Sequence, residues 1–371
     1  MDRNRRKFLR AAAAGGVAYA FGRTPGTVYA QAAGTGGFAD YKALVCLFLF
    51  GGNDSWNMVV PTSTTEYDAY AASRGGGTAS SLAIPRASLL PIAPRTPDPA
   101  GATYGLHPSM GGVRELFDAG RAAVVANVGP LIRPTTKAQY QQAATPGHEL
   151  PPQLFSHNDQ QDQWHSLRGR AILKSGWGGR VADVLDGQLG GHRLALNASL
   201  AGQTYFQAGD VARPGVMGGA GAASFQGQGA TGNALARRNA FQAIAAASRD
   251  STGNTVYERG FATVQQRAVQ YADTVNTALA GARDFVALPD SGVQLSPLQQ
   301  QLRTVAKLVS VRGGLSMSRQ VFFVSTGGFD QHDDLLADQP GLLGNISASI
   351  KSFHDALAEI GMEGSVTLFT H

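Results

Sequence analysis

Residues 41–57 read YKALVCLFLFGGNDSWN, an almost unbroken apolar run that stops at two glycines and an acidic residue. A run without alternation between apolar and polar residues is typical of a strand buried on both faces, as in a parallel sheet covered by helices. In open α/β sheets, ligands bind beyond the carboxyl ends of such strands. The stretch therefore predicts a central parallel strand that carries Asp54 to a ligand-binding edge.

Further apolar runs and helical patterns alternate along the rest of the chain. Strands are predicted at residues 122–128, 194–200, 319–325 and 366–370, and helices at 108–119, 177–185 and 342–360. Residues 62–104 are rich in Ser, Thr, Gly and Pro and predict an irregular excursion. Alternating strands and helices favour a single α/β domain over residues 31–371, with a mostly parallel central sheet and helices on both faces.

Residues 207–311 predict an insertion in this domain. Residues 207–233 are rich in Gly and Ala and hold few large apolar side chains, which is typical of a flexible loop. Helical patterns follow near 234–248, 255–283 and 296–311. A lid and an interface are both open interpretations of these helices.

Composition excludes several classes of protein. The chain has 371 residues, of which 43% are hydrophobic and 15% charged, so it is not a disordered charged tail. Its net charge of +5 arises in residues 1–30, because the remaining chain carries equal numbers of acidic and basic side chains. The charge is thus no evidence for a nucleic-acid partner. A lone cysteine, Cys46, excludes an internal disulfide framework.

The first 30 residues resemble a twin-arginine export signal. Arg5-Arg6-Lys7-Phe8-Leu9-Arg10 precedes a weakly apolar stretch, and Val28-Tyr29-Ala30 supplies a signal-peptidase site. The alternative is a basic amphipathic helix. The apolar stretch is shorter than the ~20 residues of a membrane span. The resemblance implies a periplasmic or secreted protein whose partners are the twin-arginine export machinery and signal peptidase.

Two strand ends share the pattern Gly-Gly-x-Asp, at residues 51–54 and 327–330. Paired glycines permit a sharp turn that brings a carboxylate close to a ligand. The second copy continues to Gln331 and His332, and an Asp-x-His pair can bind zinc, manganese or calcium. The alternative for each aspartate is a helix N-cap. Two copies at two strand ends favour a shared site for a divalent metal ion.

A polar run at residues 156–162 contains two candidate catalytic residues, Ser156 and His157. Adjacent side chains need not face each other, so this pair is no catalytic triad by sequence alone. A capped helix start is the competing interpretation, with Ser156 as the N-cap and Asp159 three residues later. Both roles are compatible, since a residue can cap a helix and still face a ligand.

Together these motifs resemble the domain-of-unknown-function 1501 family from about residue 40 onward. The resemblance rests on the twin-arginine leader and on four motifs: residues 47–57, Leu106-His107-Pro108, residues 156–161 and residues 327–332. That family is similar in fold to the alkaline phosphatase and sulfatase superfamily of metal-dependent hydrolases. The resemblance implies Asp54, Asp330 and His332 as metal ligands and Ser156 near the hydroxyl nucleophile.

The same resemblance implies a hydrolase of phosphate or sulfate esters carried on an anionic small molecule or polymer. It also implies an Asp-Phe-Gly-Arg and an Asp-His-Gly segment beyond the last predicted strand, and the sequence stops at His371 before either. A chain truncated at its C-terminus is therefore expected. The alternative function is a non-catalytic exported binding or assembly protein that retains the fold.

Overall fold

A buried strand, β1 (Lys42–Leu49), lies inside the main sheet of the protein. The structure is a computed structural model that describes residues 38–167, 175–186, 188–189, 194–225, 227–229 and 231–371. The export signal predicted for residues 1–30 lies outside these ranges. The remaining strands are β2 (Val59–Pro61), β3 (Leu90–Ile92), β4 (Tyr104–Leu106), β5 (Asn197–Ser199), β6 (Gly215–Val216), β7 (Arg319–Thr326) and β8 (Val366–Thr370).

The main sheet has five strands in the order β6-β5-β7-β1-β8, and all of its strand pairs are parallel. β1 pairs with β7 in the register Lys42↔Arg319 and with β8 in the register Ala43↔Val366. Seven consecutive residues of β1 are buried because both faces of the strand are covered. The prediction of a mostly parallel α/β sheet is confirmed.

Helices cover both faces of this sheet. On one face, Val45 and Leu47 share a core with the helices α8 (Pro297–Ser310) and α9 (Leu335–Ala358). On the other face, Leu44 and Phe48 pack with α5 (Trp177–Asp186). The helices are α1 (Thr64–Ser73), α2 (Gly111–Asp118), α3 (Lys137–Gln141), α4 (His157–Ser166), α5 (Trp177–Asp186), α6 (Gly232–Asp250), α7 (Val256–Ala280), α8 (Pro297–Ser310) and α9 (Leu335–Ala358). No helix in the described ranges has the length and apolarity needed to cross a membrane.

Residues 62–104 are more regular than their composition predicts. They contain α1, β3 and part of a three-stranded antiparallel sheet in the order β2-β4-β3. Tyr70 of α1 fixes this unit, since its hydroxyl donates to Asn57 Oδ1 at 2.7 Å and accepts from the Ile84 amide at 2.9 Å. The prediction of an irregular excursion was wrong because one buried tyrosine ties its polar segments to a small core.

The strand predicted at residues 122–128 is absent. This segment is irregular, with Val124 47% and Val125 78% exposed. It belongs to neither sheet, although the edge strands β6 and β8 each have only one neighbour among the described residues. A short apolar run alone does not establish a strand.

The 207–311 region contains α6, α7 and α8 after a Gly-rich segment, and part of that segment is anchored. Met217 and Ala222 are buried in the main core, and Asn276 of α7 bonds the backbone of Ala222 through both its amide atoms. The helix predicted at 342–360 begins earlier, at Leu335, and contains Pro340. Pro340 is the sixth residue of this helix, so it lies beyond the first turn and removes one hydrogen bond of the helix interior.

Candidate functional site

The two Gly-Gly-x-Asp turns lie side by side at the carboxyl ends of β1 and β7. The Phe50 amide donates to the Thr326 carbonyl at 2.9 Å, and the Phe329 amide donates to the Phe50 carbonyl at 3.2 Å. Gly51 has φ +113°, and a Cβ there would lie 2.4 Å from the Asp330 nitrogen. Only glycine permits this close approach, so the turn after β1 rests directly on the backbone of Asp330.

Three side chains converge at this edge: His157, Asp330 and His332, here called the His-Asp-His cluster. His157 Nε2 lies 3.2 Å from Asp330 Oδ1, and His332 Nε2 lies 2.7 Å from the same oxygen. One ligand atom from each residue lies within 4.8 Å of the other two. The side chains are 50%, 47% and 75% exposed in that order, so solvent and small molecules can reach them.

Two elements position the cluster. His157 is the first residue of α4, and Asp330 and His332 belong to the turn after β7. Two imidazoles and one carboxylate are a donor set that suits zinc or manganese. Three protein ligands also leave a coordination position for water or substrate, which is the arrangement of catalytic zinc sites. The residues present therefore fit a divalent ion.

The sequence predicts Asp54 as a ligand of the same metal ion, but in the structure Asp54 has other partners. Its Oδ1 accepts from the Trp56 amide at 3.1 Å, its Oδ2 pairs with Arg74 Nη2, and its main-chain oxygen accepts from Gln339 Nε2 at 3.0 Å. It is the N-cap of a 3₁₀ helix at Ser55–Asn57. A metal-ligating role for Asp54 stays a prediction, and it would require the Arg74 ion pair to open.

Ser156 caps α4 directly before His157. Its hydroxyl accepts from the Asp159 amide at 3.4 Å and donates to Asp159 Oδ2 at 2.5 Å. Ser156 is therefore the N-cap of α4, as the competing interpretation of the sequence proposed. The hydroxyl has a carboxylate acceptor and belongs to the residue that precedes His157 in the chain. The proposed nucleophile role stays a prediction.

The sequence model of a family described as "Protein of unknown function (DUF1501)" matches residues 41–370. The chain belongs to the DUF1501 family. The matched range includes every residue of the His-Asp-His cluster, together with Asp54 and Ser156. Searches of curated proteins and of solved structures found no match to the chain. The description of DUF1501 states no activity, so the chemistry of the site must be argued from its residues.

The DUF1501 chain also holds two histidines in an aromatic cluster near the same strand ends, which sequence reasoning missed. The His165 ring lies 4.4 Å from the Phe48 ring, and the His371 ring lies 4.4 Å from the Trp164 ring. Burial lowers the pKa of His165 to about 4, and burial together with the neighbouring His165 lowers the pKa of His371 to about 3. Both imidazoles are therefore neutral at pH 7 and belong to the packing.

His107 of the Leu106-His107-Pro108 motif is a buried turn residue in this DUF1501 protein. Its Nδ1 accepts from the Ser109 amide at 3.1 Å, and burial lowers its pKa. His107 is therefore a hydrogen-bonded turn histidine.

Proposed function

We propose that this protein is an exported metal-dependent hydrolase of phosphate or sulfate esters. The convergence of His157, Asp330 and His332 at the carboxyl ends of β1 and β7 carries the proposal. These are the residues that would hold a zinc or manganese ion, with Asp54 as a further candidate ligand. A bound divalent ion supplies Lewis acidity and lowers the pKa of bound water.

The protein's own residues contribute positioning and proton transfer. The Ser156 hydroxyl donates to Asp159 Oδ2, which is the contact expected of a nucleophile and its general base. The N-terminus of α4 carries a partial positive charge and favours an anionic ester beside Ser156. The pairing of His157 with Asp330 fixes the imidazole orientation.

The proposal includes export by the twin-arginine pathway to the periplasm or outside the cell. It rests on the paired arginines and the Val28-Tyr29-Ala30 ending of the leader. Cleavage by signal peptidase after Ala30 would leave a mature chain that begins at Gln31. Mass spectrometry of the protein recovered from the periplasm would test both the location and the cleavage site.

The decisive experiment measures bound metal and ester hydrolysis in the same preparation of the full gene product. We expect one zinc or manganese ion per chain, and turnover of p-nitrophenyl phosphate or p-nitrophenyl sulfate that is lost with chelator and restored by the ion. His332→Gln should lose both properties, whereas His148→Gln, at a histidine that bonds the Gln142 carbonyl away from the cluster, should keep both. Turnover that persists after complete metal removal would refute the proposal.

A second candidate is a non-catalytic exported binding or assembly protein. It is favoured by an apolar stripe on α7, where Tyr257, Phe261 and Val264 are 90%, 67% and 62% exposed. Their spacing places them on one helix face. This function predicts a folded protein with no metal and no turnover, whose association in sedimentation experiments is lost in Phe261→Glu.

A further inference from the structure

Helices α6 and α7 form a hairpin that packs on the core only in part. Arg249 Nη1 of α6 donates to Gln266 Oε1 of α7 at 2.6 Å, and Arg238 pairs with Asp273, so the two helices run antiparallel. In α6, which the structure describes throughout, Ala245 alone is buried, because α7 is the main neighbour of this helix. The hairpin is thus held together mostly by its own contacts.

The face of α7 that reaches the core carries a heptad repeat. Its apolar positions are separated alternately by four and three residues, as are the a and d positions of a coiled coil: Tyr257, Phe261, Val264, Ala268, Tyr271, Val275 and Ala278. The last three of these residues pack in the main core, where Val275 is fully buried. A seam with this period fits against another helix.

The first four of these residues, here called the distal seam, are exposed. Tyr257, Phe261 and Val264 are 90%, 67% and 62% exposed, and Ala268 is exposed as well. Helix α6 leaves them uncovered, because its contact at Gln266 lies on a different face of α7. An apolar surface that continues a packed face beyond the core is typical of an interaction site.

We propose that a second copy of this chain covers the distal seam, with its own α7 antiparallel to the first. Side-chain size is largest at Tyr257 and smallest at Ala268, at opposite ends of the seam. A two-fold axis between Phe261 and Val264 places these two residues against each other. It also places Tyr257 of one copy against Ala268 of the other, so each layer combines a larger and a smaller side chain. A parallel pair would crowd two tyrosines into one layer and leave a void between two alanines.

Charges beside the distal seam are compatible with this pairing. Glu258 and Gln265 lie on one flank of the seam, and Gly260 and Arg267 lie on the other. The two-fold axis places each flank against the same flank of the second copy. Glu258 therefore faces Gln265, and Arg267 faces Gly260. No like charges meet, so none opposes the association.

The contact area suits a reversible dimer. A buried aromatic side chain contributes ~150–250 Å², so the exposed fractions of the four rings in two copies supply roughly 500–800 Å². Val264 and Ala268 of both copies bring the total close to the ~1,000 Å² at which specific interfaces begin. The association requires neither metal nor turnover, so it goes beyond the proposed function and does not depend on it.

Sedimentation velocity of the full chain over a range of concentrations, in the presence of chelator, tests the dimer. We expect monomer and dimer in equilibrium with a dissociation constant on the order of micromolar. Phe261→Glu should weaken the association at least about tenfold, because it places a carboxylate in the centre of the seam. Val125→Glu is the matched control, since Val125 is 78% exposed and lies outside α7. Circular dichroism establishes that each variant is folded.

Introduced cysteines test the antiparallel orientation, since the native Cys46 is buried. A mixture of Tyr257→Cys and Ala268→Cys copies should form a disulfide-linked dimer under mild oxidation. Tyr257→Cys alone should not, because in an antiparallel pair its two copies lie about 16 Å apart along the helix axis. A disulfide bridges Cα atoms that are at most ~7 Å apart.

Four results would overturn the inference: a chain that stays monomeric at the highest concentration, unchanged association in folded Phe261→Glu, a disulfide-linked dimer from Tyr257→Cys alone, or a monomer that binds phospholipid vesicles through Phe261. Measurements of bound metal and ester turnover decide the proposed function, whereas sedimentation and cross-linking decide the dimer. The two proposals therefore fail in different experiments.

Discussion

The turns after β1 and β7 share the pattern Gly-Gly-x-Asp but use their aspartates differently. Asp54 is only 16% exposed, caps a 3₁₀ helix and pairs with Arg74. Asp330 is 47% exposed and contacts two imidazoles. The motif places a carboxylate at a strand end in both cases, but the residues that arrive from other elements decide its chemistry.

The first prediction compares the two carboxylates as metal ligands, and it has the largest expected effect. Asp330→Asn should reduce affinity for zinc or manganese by roughly 100-fold or more, because it removes the negatively charged carboxylate that also contacts both histidines. Asp54→Asn should weaken uptake less and leave the fold intact, since asparagine also caps helices. Isothermal titration calorimetry measures both affinities. A larger loss of metal affinity in Asp54→Asn than in Asp330→Asn would contradict this prediction.

The glycines of the two turns should also differ. Gly51→Ala should destabilise the protein by about 2–4 kcal/mol, because φ is +113° and the new Cβ would clash with the Asp330 backbone. Gly327→Ala should cost about 1 kcal/mol or less, since the nearest atom to its Cβ is Phe50 Cβ at 3.8 Å. Urea unfolding measures both changes. Similar costs in the two variants would show that the turn after β1 does not depend on the close approach.

Sequence reasoning predicted most of the sheet because β1 and β7 are long apolar runs that are buried on both faces. The helices predicted near 255–283 and 296–311 begin at Val256 and Pro297, and each follows a capping box, formed by Thr255 with Glu258 and by Ser296 with Gln299. The prediction of a strand at 122–128 was wrong because an apolar run alone does not specify that the segment pairs with another strand. Pairing is a property of the whole sheet.

The candidate site was predictable only in part, for a similar reason. The spacing of Asp330 and His332 is local, so the sequence indicated both as ligands. His157 joins them only because α4 docks against the turn after β7. Arg74 reaches Asp54 from the end of α1, in a segment predicted to be irregular. Contacts between distant segments have no local signal.

The third prediction compares the two ends of α4, where His157 is half-exposed in the cluster and His165 is buried among aromatic rings. The folded-state pKa of His165 is about 4, below the ordinary value of 6.5. Between these values the unfolded chain binds more protons, so stability should fall as the pH drops from about 6.5 to 4, by on the order of 3 kcal/mol. His165→Phe should reduce this slope in urea unfolding curves. An unchanged slope would assign the acid sensitivity to other groups.

The last prediction tests whether Asp54 binds metal better once its ion pair with Arg74 is removed. Arg74→Met keeps much of the aliphatic volume of the side chain but removes the cation that occupies Asp54 Oδ2. Both side chains are less than one-fifth exposed, so removing the guanidinium leaves a largely buried carboxylate unpaired and should cost about 2–3 kcal/mol in urea unfolding. If Asp54 is a metal ligand, the freed carboxylate should also raise zinc affinity by about threefold, because the metal no longer competes with a guanidinium.

Arg86→Met is the control for a general charge effect. Arg86 lies in the same region of the chain, over the Tyr67 ring, and its guanidinium bonds the Thr64 hydroxyl at 3.4 Å. A rise in zinc affinity specific to Arg74→Met would place Asp54 with Asp330 in one metal site. Equal affinities in the two variants would leave Asp54 as a structural cap, and the two turns would then differ in function as well as in contacts.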